Sequence, residues 1–200
     1  MKKLKKTNLG EFHELEKIGE YCFGLGIPEN QIKKIIKYSN DFSDKSLQEN
    51  TSDSKRFSSL DEFEKWYNYD GRFVFSLLGE NSEIIGFWQS RPSKEPIIKL
   101  VEDKELYNKL LSNKNLIHTN GIRIYPNFRS KGLSRILLSL SHKYYKNIYP
   151  NSIMSVDINK ENIPSQKSYE KMGYKRIGIG ENQKTVESKG KTRIVYCYYE

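Results

Sequence analysis

Arg129-Ser130-Lys131-Gly132-Leu133-Ser134 and, further on, Asn162-Ile163-Pro164-Ser165, continuing to Tyr169 and Gly173-Tyr174, carry most of the information about how this chain folds. The first is a bend that leads straight into an amphipathic helix. From Gly132 to Lys146, the residues Leu133, Ile136, Leu137, Leu140 and Tyr144 fall on one face. The first N–H groups of such a helix have no intrahelical partner, and the helix dipole is positive at the same end. A phosphate suits that position. Gly132 permits close approach, while Arg129 and Lys131 add charge-assisted donors. The second stretch predicts a helix over Ile163 to Met172, with Asn162 as its N-cap, Gly173 as its stop and Tyr169 upon it. Ile153 to Ile158, between the two, reads as a strand with Ser155 and Asp157 facing away from Met154, Val156 and Ile158.

Working outward, Leu116 to Tyr125 is a strand closed by Pro126. By alternation, Ile122 and Ile124 face the core and Arg123 the other side. Arg72 to Leu78 and Ile84 to Gln89 form a hairpin through Gly79 to Ser82. Tyr174 to Ile179 and Thr192 to Tyr199 pair as late strands around a polar loop, Glu181 to Lys191. Near the N-terminus, Phe12, Leu15, Ile18 and Cys22 recur at steps of three and four, which predicts a helix over Asn8 to Gly24. A second helix is expected from Glu29 to Tyr38 behind Pro28. Ser59-Leu60-Asp61-Glu62 carries a capping-box pattern at the start of a third. Ser39 to Ser58 has no period and reads as an exposed loop, and Glu102 to Ser112 reads as a further helix.

The two motifs resemble the paired signature of the Gcn5-related N-acetyltransferases (GNAT family). The family writes the first as Arg/Gln-x-x-Gly-x-Gly/Ala, met here from Arg129 with Ser134 in the last small position. It writes the second as Asn-x-x-Ala/Ser-x-x-x-Tyr-x-x-x-Gly-Phe/Tyr, met at every position from Asn162 to Tyr174. The resemblance covers roughly Phe73 to Tyr199 and implies one N-acetyltransferase domain over residues 1–200, with the motif-bearing core at 73–199. The implied fold is α/β (α+β): a mixed, largely antiparallel central sheet, a parallel strand pair splayed around the cofactor, and helices on both faces.

The same resemblance implies the chemistry. Acetyl-CoA is the acyl donor, its pyrophosphate on Arg129, Ser130, Lys131, Gly132, Leu133 and Ser134, and its pantetheine arm along the main chain of Ile122, Arg123 and Ile124. Asn162 and Ser165 are further cofactor contacts. Tyr169 protonates the leaving thiolate. Asp157 stands where relatives that acetylate a ribosomal protein's N-terminus carry a glutamate that takes the amine proton, and it is one methylene shorter. His118 is a further candidate base.

Composition sets the frame. The chain of 200 residues suffices for one core. No apolar run long enough to span a bilayer is present, which argues against a membrane partner. Met1-Lys-Lys-Leu-Lys-Lys lacks the apolar stretch of a signal peptide, so a cytoplasmic location is expected. Cys22 and Cys197 lie near opposite ends, outside any nucleophile motif, and no His/Cys/Asp grouping has metal spacing. The formal charge of +9 favours anionic ligands. Its basic residues are spread rather than gathered in a stripe, which argues against nucleic acid. The amine acceptor, a small molecule or a protein, is open, and a homodimer is compatible. Two alternatives stand beside the enzyme: a non-catalytic coenzyme A sensor or scaffold, and a basic nucleic-acid-associated protein.

Overall fold

The computed structural model describes residues 4–51, 53–92, 117–181 and 192–198, together with Glu102, Glu105 and Asn108. Most of the helix expected at 102–112 and of the loop expected at 181–191 lies outside the described residues. Among the described residues, eight strands form one mixed sheet in the order β1-β2-β3-β4-β5-β6-β8-β7. They are β1 (Phe12–Ile18), β2 (Tyr21–Gly26), β3 (Phe73–Leu78), β4 (Ile84–Pro92), β5 (Ile117–Ile124), β6 (Ile153–Asn159), β7 (Lys175–Glu181) and β8 (Thr192–Tyr198). β5 and β6 pair in parallel through Ile117↔Ile153, His118↔Met154 and Thr119↔Ser155, whereas β1–β2, β2–β3, β3–β4, β6–β8 and β7–β8 are antiparallel. The chain gathers into two compact units, residues 1–91 with 121–148, and residues 92–120 with 149–200.

The first unit opens on a hairpin, not on the helix that the spacing of Phe12, Leu15, Ile18 and Cys22 predicts. A bulge between Glu14 and Glu16 adds a residue to β1 and breaks strict alternation, so a bent strand imitates a helical step. Gly24 shows why the strands win: a Cβ there would overlap the carbonyl oxygen of His13 and the ring of Phe12 across the pair. α1 (Glu29–Ser39) follows Pro28 as expected and buries Ile32 and Ile35.

The segment 39–58 departs most from its reading. It holds α2 (Lys45–Asn50), capped by the Asp44 side chain on the Leu47 N–H, and the single turn α3 (Asp53–Arg56). Phe57 after it is fully buried, with its ring centre 4.9 Å from Phe63, 4.8 Å from Trp66 and 6.3 Å from Phe87. A run of Ser, Asp, Asn and Lys thus lies folded because one aromatic and two aspartates anchor it. α4 (Leu60–Tyr67) begins at Ser59, whose hydroxyl accepts from the Glu62 N–H, as the capping pattern predicts.

β3 is buried along its whole length, which explains its apolar run, broken only by Ser76, whose hydroxyl donates to the Gly26 carbonyl at 2.7 Å. Beside it, Gly86 on β4 lets the β5 backbone come close: a Cβ there would overlap the carbonyl oxygen of Arg123. Gly86→Ala is therefore expected to lower stability by at least about 2 kcal/mol, because main chain rather than a flexible side chain must move. A urea midpoint equal to wild type would contradict that. α5 (Leu133–Ile148) buries Leu133, Leu137, Leu138 and Tyr145, with Ile136, Leu140 and Tyr144 half-buried at the edge of that face.

In the second unit, β6 pairs with β8 from Met154↔Tyr198 to Asn159↔Arg193, and β8 pairs onward with β7. α6 (Ile163–Glu170) connects β6 to β7 and buries Gln166 and Tyr169.

Candidate active site

The loop before α5 belongs to the first unit. After β5 the chain turns through Pro126–Phe128, passes Arg129, and places Ser130 (φ 62) and Gly132 (φ 75) in the left-handed region before α5 begins at Leu133. Left-handed residues in such a turn aim successive N–H groups into one concavity. A side chain rarely adopts this conformation, yet Ser130 does so, and Gly132 meets the same demand without strain. A Cβ built on Gly132 has nothing within 4 Å, so the space above it is open. No acidic residue occupies the first turn of α5. Lys131 is exposed, with Nζ 5.8 Å from the centre of the Phe128 ring, and Leu133 is buried and anchors the helix start.

Arg129 is not free to serve as a phosphate cation, contrary to its reading. Its Nε donates to the Ile124 carbonyl at 2.9 Å, and Nη1 and Nη2 donate to the two carboxylate oxygens of Asp44 at 2.8 and 2.6 Å. Burial works to raise the Asp44 pKa, but the Arg129 fork and the Leu47 N–H outweigh it and hold the carboxyl below its ordinary range. One aspartate thus caps α2 and ties it to the loop before α5.

The faces of β5 are also reversed. Arg123 is 8 % exposed and Tyr125 1 % exposed, while Ile122 and Ile124 are only half-buried. Arg123 points inward because Asp53 of α3 meets its Nε and Nη2 in a buried ion pair, and its guanidinium lies 5.1 Å from the Phe87 ring centre. An arginine expected to face away from the core therefore holds α3 in place.

In the second unit a polar cluster surrounds Tyr169. Asn162 caps α6 by accepting the Ser165 N–H at 3.3 Å, as its type predicts. Tyr169, 1 % exposed, donates its hydroxyl to Asn120 Oδ1 at 2.9 Å and stands edge-on to Tyr174 at 4.9 Å. Asn120 Nδ2 donates to the Ser155 carbonyl at 2.9 Å and to the Tyr174 hydroxyl at 3.0 Å. The carbonyl settles the orientation of the amide, since only an N–H can face it. Oδ1 must then face Tyr169, and Tyr169 must be the donor. Burial raises the Tyr174 phenol well above its ordinary value, so it stays neutral.

Asp157 lies on β6 with its side chain 38 % exposed, and Arg193 Nε is 4.0 Å from it. His118 is fully buried against Tyr149, ring centres 4.6 Å apart. Burial pushes its pKa down to about 4, and burial, then Lys146, pushes that of His142 down to about 3. Both are neutral in the fold, whereas the unfolded chain takes up protons near pH 6.5. Their contribution is complete above about pH 6.5 and lost as pH falls toward the folded values, at about 1.4 kcal/mol per pH unit for each histidine. The urea midpoint is expected to fall between pH 6.5 and 5, and a flat profile in that window would refute the assignment.

Asp44, Asp53 and the bonding role of Asn120 escape a reading of the sequence. The aspartates sit in a segment without period, and their partners lie 85 and 70 residues away. Both cysteines are free thiols. Among the described residues, no group of His, Cys, Asp or Glu is placed to hold a metal, and no helix is long and apolar enough to cross a membrane.

A family model described as "Acetyltransferase (GNAT) family" matches residues 40–174. No curated protein matches the chain. Among solved structures, the ribosomal-protein-S5-alanine acetyltransferase of Vibrio fischeri superposes with a TM-score of 0.67 at 13 % identity, covering 94 % of this chain and 96 % of that one. Arabidopsis thaliana NAA60 in complex with acetyl-CoA gives 0.63 at 14 % identity, covering 90 % and 98 %. A spermidine N-acetyltransferase chimera from Vibrio cholerae and hSSAT gives 0.64 at 14 % identity, covering 90 % and 96 %. At these identities the likeness is one of fold.

Proposed function

The chain belongs to the acetyltransferase (GNAT) family, and from that premise we propose that it moves an acetyl group from acetyl-CoA to a primary amine by direct attack. The observation that carries this reading is the open left-handed turn at Ser130 and Gly132 before α5, a backbone cradle for a pyrophosphate. In this reading the N–H groups from Ser130 to Ser134 and the Lys131 ammonium hold the phosphates. The main chain of Ile122 to Ile124 pairs with the amide-rich arm of the donor, as in strand addition. Asn162 and Ser165 add contacts from the α6 start. Tyr169 gives a proton to the departing thiolate, and Asp157, directly or through water, takes one from the amine. The thioester carbonyl carries negative charge in the transition state and is met by N–H near Ile124. A cytoplasmic location accords with this donor.

Gly132→Val is expected to weaken coenzyme A binding at least about tenfold, since the side chain enters the phosphate cradle and removes charge-assisted bonds. Gly132→Asn tolerates the left-handed conformation and reports the intrusion without the strain. Titration calorimetry on both, with circular dichroism to establish the fold, is the test. Wild-type affinity in the two variants would end the phosphate assignment. Release of free thiol across a panel of primary amines tests the transfer itself.

A second reading, a coenzyme A sensor without turnover, draws on the Tyr169 hydroxyl being donated to Asn120. Thiol release above background with any amine excludes it.

A further inference from the structure

A cationic cluster in the first unit shares no residue with the loop before α5. Arg72, just before β3, is 6 % exposed, and its Nη1 donates to Gln89 Oε1 on β4 at 3.2 Å. Its guanidinium lies 4.4 Å from the Trp66 ring centre and 5.5 Å from that of Tyr69. Arg91, also on β4, rests on the same Tyr69 ring at 4.9 Å, and Lys6 Nζ donates to the Tyr69 carbonyl at 3.1 Å. Three cations therefore meet at one tyrosine, itself 41 % exposed.

The charge balance is what sets this cluster apart. Arg123 nearby is answered by Asp53. Among the described residues, no carboxylate pairs with Arg72 or Arg91, and the buried Nε of Arg72 has no hydrogen-bond partner. Stacking on aromatic rings compensates a guanidinium only in part, and a buried cation without an anion is costly. Burial, then the charges of Arg91, Arg56 and Arg123, pushes the Arg72 pKa down to about 9, the mark of a cation that lacks an answering charge. Gly121 on β5 adjoins the cluster: a Cβ there would stand 3.4 Å from Gln89 Nε2 and 3.5 Å from Arg123 Nη1, which are both donors.

We propose that this cluster binds an oxyanion, with Arg72 and Arg91 as its donors and Tyr69 as its floor, and that the oxyanion belongs to the amine acceptor. The forked guanidinium matches a carboxylate or a phosphate, and either group supplies the missing charge. The role in acceptor choice rests on the acetyl-transfer reading above, whereas the anion site itself does not. The acceptor class is then an amine bearing a carboxylate or phosphate. A polyamine or an aminoglycoside would bring more positive charge to a cluster already in excess.

Titration calorimetry with sodium glutarate and with inorganic phosphate, at constant ionic strength against chloride, tests the site. Saturable binding of one glutarate per chain is expected; phosphate, which can also occupy the turn at Ser130 to Ser134, is titrated in the Gly132→Val background, and the stronger of the two ligands there identifies the group. Arg91→Ala and Arg72→Gln are expected to weaken it about 10–100-fold, as for loss of a charge-assisted bond. Gly132→Val should leave it unchanged, which separates this site from the loop before α5. If Arg72→Gln does not fold, Arg91→Ala decides alone. No saturation, or equal affinity in Arg91→Ala, overturns the site. Retention on nucleic acid that Arg91→Ala abolishes would also overturn it, as a polymer surface rather than a small-anion site. In the thiol-release assay, an amine with a free carboxylate should show a KM about tenfold below that of its amide, and a preference for spermidine would overturn the acceptor assignment. Anion binding without turnover of any amine defeats the acetyl-transfer reading and leaves the site standing. Turnover without anion binding does the reverse.

Discussion

Tyr169→Phe is expected to reduce kcat by roughly 10²–10⁴-fold, the usual contribution of a positioned general acid, with coenzyme A affinity within about twofold of wild type. The ring should stay in place, since it packs edge-on against Tyr174 and is held within the second unit. What is lost is one proton donor. In the resting protein that proton is donated to Asn120 Oδ1, and Asn120 is fixed in turn by Ser155 and Tyr174. In the proposed mechanism the network keeps the phenol in one position until charge develops on sulfur, when the thiolate, a stronger acceptor, competes for the proton. The substitution also leaves Asn120 Oδ1 buried with one partner fewer, at a cost of about 1–3 kcal/mol. Two readouts therefore separate the roles. A fall in kcat under conditions where chemistry limits supports the acid. A lowered melting temperature with wild-type turnover would leave Tyr169 a structural member of the network and remove it from the mechanism. Asp157→Asn, measured alongside, is expected to lose the low-pH limb of the rate profile if the carboxylate takes the amine proton.

Asp53→Asn should be the most destabilising conservative change in the first unit, by about 3–5 kcal/mol, because it breaks the buried Asp53–Arg123 ion pair. The amide keeps the size of the carboxylate but presents an N–H to a guanidinium that can only donate. α3 is one turn long, and this pair and the packing of Phe57 help to hold it. Its loss should loosen the whole run from Asp44 to Phe57. The double variant Asp53→Asn with Arg123→Met removes both charges and is expected to recover a large part of the loss, since breaking a buried pair costs far more than replacing it. Additive losses in the double variant, read from urea midpoints, would mean that the two residues act separately.

Much of the chain can be read locally. α5 and α6, the Ser59 and Asn162 caps, the buried run of β3 and the bend at Gly132 depend on periodicity, capping and backbone conformation, which act within a turn or two of chain. Both motif loops are of this kind, so the family and the mixed sheet were legible before any coordinates. The N-terminal hairpin was not. Its bulge gives helical spacing to a strand, and the overlap that a Cβ at Gly24 would cause exists only once β1 lies beside β2. The order in the segment 39–58 was hidden for a related reason, because polar composition favours a loop unless distant partners answer its charges.

The family, the paired motifs and the residue types proposed for phosphate binding and proton transfer are legible in the linear sequence. Tertiary structure alone decided which of those side chains remain available. Arg129 meets Asp44 across 85 residues, Arg123 meets Asp53 across 70, and Tyr169 meets Asn120 across 49. Arg72 and Arg91 meet no carboxylate at all among the described residues. Charge pairing and hydrogen bonding act over a few ångströms of space whatever the separation along the chain, so a linear reading can name the donors and acceptors but not match them.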